Sequence, residues 1–283
     1  MSKFKKEKVM AMVINTNMGA INANRILDAT GREQSVAMER LTSGLRINKA
    51  ADDAAGLAVA TGMTTQVMGT DQAIRNANDG ISLIQTVDGA TEEVVNMMQR
   101  MRELAVQSLN GTYNSENRNQ MDQEFTQLQS EIDRVAKTTK FNEIQLMSQG
   151  TTISLHVGWE GGANNKINIS TKGFVAASLN TSTARNITTV ANASVAISTI
   201  DADLSNINNT RAKWGAIQNR LESTVSNLGN VNENISASRS RIQDADFARE
   251  SANLARTQVL QQAGMSMLSQ ANQNSQSVLS LLR

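Results

Sequence analysis

Apolar residues recur at alternating steps of three and four along much of the chain. Ile84, Val87, Thr91, Val94, Met98, Met101, Ala105 and Ser108 keep that rhythm, flanked by Leu83, Ala90, Met97 and Leu104. The spacing predicts a helix over 84–108 with a coiled-coil-like seam. The polar run NGTYNSEN at 110–117, with Gly111 inside it, should end that helix. Met121, Phe125, Leu128, Ile132 and Val135 then start a second one, for which Asn114 or Ser115 can supply the cap. A third and longer helix is predicted over about 193–236. Its heptad positions from 197 to 235 hold Ile, Ile, Leu, Ile, Arg, Trp, Gln, Leu, Val, Leu, Asn and Ile, far richer in apolar residues than the 40% of the whole chain. Such a helix would run roughly 60 Å, longer than a compact domain of this size needs.

Between these helices the period changes. Ile153, Leu155 and Val157, then Ile167 and Ile169, alternate with polar residues around a Gly- and Asn-rich centre, which predicts a β-hairpin over 151–171. The Ser-, Thr- and Asn-rich stretch at 178–194 reads as a surface loop. Both ends return to helical steps: Ile14, Met18 and Ile21, then Met38, Leu41 and Leu45 at the start; Ala248, Ala252, Ala255 and Val259, then Val278, Leu281 and Leu282 at the finish. A narrow apolar stripe on a single helix is marginal by itself. The two ends should therefore gain order only when packed, against each other or against other copies. The whole reads as a mainly α chain, an elongated antiparallel helical bundle whose first and last segments meet. No repeat of 20–50 residues points to a solenoid.

Composition fits long helices. Among 283 residues there is no proline, and a helix-interior proline costs about 3 kcal/mol. Aromatic residues make up 3%, so Leu, Ile, Val, Met and Ala must build the core. There is no cysteine, which excludes disulfides and thiolate metal sites. The net charge of +1 gives no field to steer the chain to nucleic acid, and its basic residues are not interleaved with aromatics. Lys3, Lys5, Lys6 and Lys8 make residues 1–9 a basic extension, without the apolar run of a cleaved signal; Met10 would serve equally as a start. No stretch of 18 apolar residues predicts a membrane span.

Candidate chemistry is sparse. His156 is the only histidine, and a metal site needs several convergent ligands. No His-Glu-x-x-His, Gly-x-Ser-x-Gly or phosphate-loop signature occurs, and GWEGG at 158–162 opens no helix. The best acidic pair is Asp52–Asp53, set in the alanine-rich run GLRINKAADDAAGLAVATGM (44–63). Adjacent helix residues point about 100° apart, so sharing a proton is unfavourable. The alternative places both acids at a helix start, where they complement the dipole, with Ala50, Ala54, Leu57 and Ala58 as a close-packed face and Arg46 or Lys49 as ion-pair partners. Arg100, Arg102 and Glu103 fall outside the apolar seam and read as a solvated face with ion pairs. No catalytic residue, metal or cofactor is expected.

Several stretches together resemble the bacterial flagellins. LTSGLRINKAADDAAGLAVA (41–60) resembles their N-terminal signature, VINTNMGAINANR (13–25) their opening, and MQRMRELAVQSLNGT (98–112) their first rod helix. SRIQDADFARESANLARTQVLQQAGMSMLSQANQNSQSVLSLLR (240–283) is similar to their C-terminal signature. The resemblance implies a structural subunit of the motility filament, secreted to the extracellular flagellum, with no enzymatic activity. It implies terminal coiled-coil helices at 10–50 and 239–283 forming the inner core, in which Ile14, Met18, Ile21, Leu41, Leu45, Val259, Val278, Leu281 and Leu282 serve assembly. It further implies a helical rod from 51–147 and 191–238 with a short β-hairpin on it; many members carry large outer domains between, but here 148–190 has room only for the hairpin and a loop, so none is expected.

The same resemblance implies partners: other copies in a helical homopolymer, an export chaperone on the C-terminal helix, the type III export apparatus, and the cap and hook-junction proteins. Arg100, Leu104 and Glu124 match the positions at which recognised flagellins meet a Toll-like innate-immune receptor. Three readings stand beside the filament subunit: a hook–filament junction protein, a flagellin carrying a protease, against which one histidine and a short middle argue, and a cytosolic coiled-coil adaptor.

Overall fold

The computed structural model describes residues 16–175 and 186–281, with side chains described as far as 273 at the C-terminal end. Ile14, Leu282 and the basic extension lie outside the described residues, and so do the side chains of Val278 and Leu281. Five α-helices carry the described chain: α1 Met18–Ser43, α2 Ala54–Leu109, α3 Ser115–Thr138, α4 Val190–Gln243 and α5 Phe247–Leu281. Two small antiparallel hairpins separate α3 from α4: β1 Lys140–Phe141 with β2 Ile144–Gln145, and β3 Thr152–His156 with β4 Lys166–Ser170. The fold is mainly α. It divides into a central unit, Thr65–Ser236, and a terminal unit made of the chain up to Thr64 together with Ala237 onward.

The central unit has a conventional core. Along α2, positions 70, 73, 77, 80, 84, 87, 91, 94, 98, 101, 105 and 108 are all buried, a strict heptad seam. The seam expected from Ile84 to Ser108 is the latter part of it. The earlier part holds Thr70, Ala73, Ala77 and Gly80, side chains too small or polar to stand out as an apolar stripe. On α4 every seventh residue from Ala193 through Ile200, Ile207, Trp214 and Leu221 to Leu228 is buried. Phe125 and Ile132 of α3 join the same core, and Asn114 caps that helix by accepting the Asn117 N–H at 2.8 Å.

The β3–β4 hairpin has the alternation expected of it, pairing Ile153 with Ile169 and Leu155 with Ile167. Ile167 and Ile169 are buried, and the Trp214 Nε1–H of α4 donates to the Ser170 carbonyl at 3.0 Å. Trp214 also meets Phe174 edge to face, ring centres 6.1 Å apart. Gly80 of α2 makes the docking possible, because any β-carbon there would run into Leu155. The β1–β2 hairpin was not foreseen. Asn142 and Glu143 turn it with φ of 46° and 65°, the paired positive angles of a tight hairpin, and it buries Leu146 and Met147 behind it.

Candidate assembly surface

The terminal unit is built differently. Helix α1 ends at Gly44, whose φ of 71° is the left-handed conformation of a helix stop, and its N–H donates to the Arg40 carbonyl at 2.9 Å. The next residues pair with the α4–α5 junction: Arg46 N–H donates to Gln243 O at 2.7 Å, and Ala245 N–H to Gly44 O at 2.9 Å. From there α1 and α5 run antiparallel. Arg40 meets Glu250, Leu27 meets Gly264, and the Asn17 side-chain amide donates to the Ala271 carbonyl at 3.0 Å. A β-carbon on Gly264 would come within 2.9 Å of Leu27, so glycine admits the leucine.

The contact between these helices is not the stripe expected from sequence. The more buried positions of α1 are Ala20, Ala23, Leu27, Thr30, Gln34, Ala37 and Leu41; those of α5 are Glu250, Leu254, Thr257, Gly264, Leu268 and Ala271. Both sets keep heptad steps, yet most of their side chains are small or polar. Met18, Ile21 and Met38 of the expected stripe are exposed, as are Ala248, Ala252, Ala255 and Val259; only Leu41 and Leu45 are half-buried. Met18 is 63% exposed and Val259 66%. Ile26, Val36, Val59, Phe247, Leu260, Met265 and Met267 are exposed on the same unit. All of these but Val59, which is on α2, lie on several sides of α1 and α5. A helix apolar on several sides is one that is covered on several sides.

Asp52 and Asp53 serve the backbone. The Asp52 carboxylate accepts the Asn48 and Lys49 N–H groups at 3.1 and 3.0 Å, and Asp53 Oδ1 accepts the Gly56 N–H at 2.9 Å. The hydrogen bonds from Lys49 and Asn48 hold the Asp52 pKa below its ordinary value. Lys49 pairs with Glu39 at 2.8 Å, and Arg46 donates to the Ile242 carbonyl, so neither cation bonds the acids as expected. The alanine face also differs: Ala50, Ala54 and Ala58 are exposed and Leu57 half-buried.

In the central unit Arg100 bridges Glu124 of α3 at 2.9 Å and Glu103 at 3.0 Å, with Arg100 and Glu124 each about half exposed. Both hydrogen bonds, Glu124 first, raise the Arg100 pKa. Leu104 is 2% exposed and belongs to the core of this unit. Arg102 forks onto Asp201 of α4 at 2.7 Å, which lowers the Asp201 pKa. Arg211 reaches Asp88 at 2.7 Å. Among the described residues no group of three His, Asp or Glu is placed to hold a metal, and no helix is long and apolar enough to cross a membrane.

A mainly helical chain with a satisfied centre and apolar terminal helices left uncovered is the kind of structural protein that completes its packing with other chains. Residues 14–152 match the bacterial flagellin N-terminal helical region, and residues 197–282 match the bacterial flagellin C-terminal helical region. The chain is 46% identical over 273 residues to a flagellin of Halalkalibacterium halodurans, covering 96% of this chain and 100% of that one. It is 41% identical over 286 residues to a flagellar filament core protein of Treponema maltophilum, and 40% identical over 286 residues to flagellin FlaB1 of Treponema pallidum, at the same coverages. The crystal structure of Bacillus cereus flagellin aligns at 33% identity and a TM-score of 0.47, over 54% of this chain and 88% of that one. The chain belongs to the bacterial flagellin family. It is a structural, self-polymerising subunit of the flagellar filament and not an enzyme.

Proposed function

We propose that the terminal unit is where subunits join. In this reading the terminal helices, roughly 10–50 and 239–283, line the inner core of the filament, and the segments 51–147 and 191–238 pack around them. The β3–β4 hairpin and its loop, within 148–190, lie on the outside. The supporting observation is the set of large apolar side chains left in water on α1 and α5, Met18, Ile21, Val259 and Met267 among them. Neighbouring copies supply the missing cover, so ordering and association are coupled, and a head-to-tail contact that does not close gives a filament. Ile14, Val278, Leu281 and Leu282 would fall in the same contact zone.

The subunit is further proposed to leave the cell unfolded through the type III apparatus, held by a chaperone on its C-terminal helix. It would polymerise under a cap beyond the hook-junction proteins, as part of an extracellular organelle of motility. A chain without cysteine or proline suits that route, since no disulfide and no slow proline isomerisation delays refolding. Exposed Arg100 and Glu124 are proposed to meet a Toll-like receptor on the free subunit, with Leu104 shaping the surface from beneath. Negative-stain microscopy of the purified chain and of a chain lacking residues 267–283 tests the assembly reading. The full chain should form filaments and the truncation none; wild-type-like filaments from the truncation would overturn it.

A further inference from the structure

The α1–α5 pairing faces a register problem. Its seam is mostly Ala, Thr, Gln and Gly, with Leu27 and Leu41 on α1 and Leu254 and Leu268 on α5. Met18, Ile21 and Val259 lie outside it, so apolar burial favours this alignment only through the few leucines, among them Leu27 over Gly264. The bonds tying 44–46 to 243–245 join the helix ends, where peptide groups are free of intrahelical partners, and fix where α1 and α5 begin to pair.

One pair of side chains along the helices adds a charged contact to these. Glu250, in the first turn of α5, is only 7% exposed. Its Oε1 accepts from Arg40 Nη1 at 3.0 Å, and its Oε2 from Asn253 Nδ2 at 3.3 Å. A slip of one heptad sets Glu250 opposite Glu33, a like charge, in one direction and carries it past Ser43, the end of α1, in the other. Either costs the buried carboxylate its cation and leaves it only the Asn253 amide, which moves with it. Arg40 Nε is buried with no acceptor within the chain, which offsets part of what the pair contributes to stability. We propose that Arg40 and Glu250 set the register of the α1–α5 pairing, the alignment on which the assembly reading above depends.

The native chain has no cysteine, so introduced thiols report the alignment cleanly. Leu27→Cys is combined with Gly264→Cys for the observed register, and with Thr257→Cys or Ala271→Cys for slipped ones. Polymerised chains are treated with a short thiol cross-linker, and intrachain products are read from the mobility of the monomer band. The native Arg40–Glu250 background should favour the 27–264 product by at least about tenfold; Arg40→Glu should bring the preference within about twofold, and Arg40→Glu with Glu250→Arg should restore it. An unchanged preference in Arg40→Glu overturns the proposal, as does a double exchange no better than the single. Where Arg40→Glu does not polymerise, recovery of assembly by the double exchange is the readout, and no recovery overturns it. Fluorescence of buried Trp214 in the central unit checks that each variant has folded. If the unsubstituted chain fails to polymerise, it is the assembly reading that falls, and the 27–264 preference is then measured on the soluble chain.

Discussion

The two units of this chain use the same heptad grammar for opposite ends. In the central unit most of the large side chains sit in the heptad positions: Met98, Met101, Ile200, Trp214 and Leu221 are all within 2% of full burial, after a start of small or polar residues at Thr70, Ala73, Ala77 and Gly80. In the terminal unit the heptad positions are mostly Ala, Thr, Gln and Gly, their leucines Leu27, Leu41, Leu254 and Leu268 only half-buried, while Met18, Ile21, Val36 and Val259 face water. The first arrangement completes itself within one chain. The second keeps its apolar area for a partner. Self-sufficiency in a helical protein is thus decided by which positions of the repeat receive the large residues.

The sharpest way to break this contrast is to make the outward residues polar. Replacing Met18, Ile21 and Val259 together by Ser should raise the critical concentration for polymerisation by on the order of a hundredfold or more, since each fully buried apolar side chain is worth about 1.5–3 kcal/mol. Thermal unfolding of the central unit should not move. Next in size is Phe125→Ala, which should destabilise the central unit by about 3–5 kcal/mol in denaturant titrations. Gly80→Ala should lower the same transition by about 1–3 kcal/mol, because the added methyl group meets Leu155.

A surface change should leave both units folded. Arg100→Ala or Glu124→Ala should weaken the response of a receptor reporter cell to the free subunit with little change in melting, as exposed pairs contribute about 0–1 kcal/mol. Equal responses from both variants and the native chain would reject the receptor mapping. The smallest effect is on pH. The carboxyls of Asp201, Glu131 and Asp52 titrate below their ordinary values because of Arg102, Arg134 and the Lys49 N–H respectively. Their stabilisation is complete above the ordinary carboxylate range and is lost as pH falls through the lower folded values. Melting followed from pH 7 downward should therefore be flat until about pH 5 and decline below it, with a shallower decline in Asp201→Asn.

The same contrast explains what could be read from sequence. The seams from Ile84 to Ser108 and from Ile200 to Leu228 were legible because one chain buries them, so the apolar period and the packing coincide. The hairpin was legible from the alternation of Ile153, Leu155, Ile167 and Ile169. That α1 and α5 meet was expected, but the residues that make the contact were not, because inner positions such as Thr30, Thr257 and Gly264 carry no apolar signal. The visible stripe there, Met18 and Ile21 with Val259, is exposed in the single chain. The β1–β2 hairpin was missed because two-residue strands give no period, and Glu143 at φ of 65° is no usual turn residue. The Arg40–Glu250 pair joins residues 210 positions apart, which no local pattern reveals.

Amide hydrogen exchange, compared between a dilute monomer and the filament, tests the central claim most directly. The account predicts slow exchange throughout α3 and the central parts of α2 and α4 in both states. It predicts fast exchange along α1 and α5 in the monomer and strong protection there in the filament. Full protection of α1 and α5 in the strictly monomeric chain would contradict it.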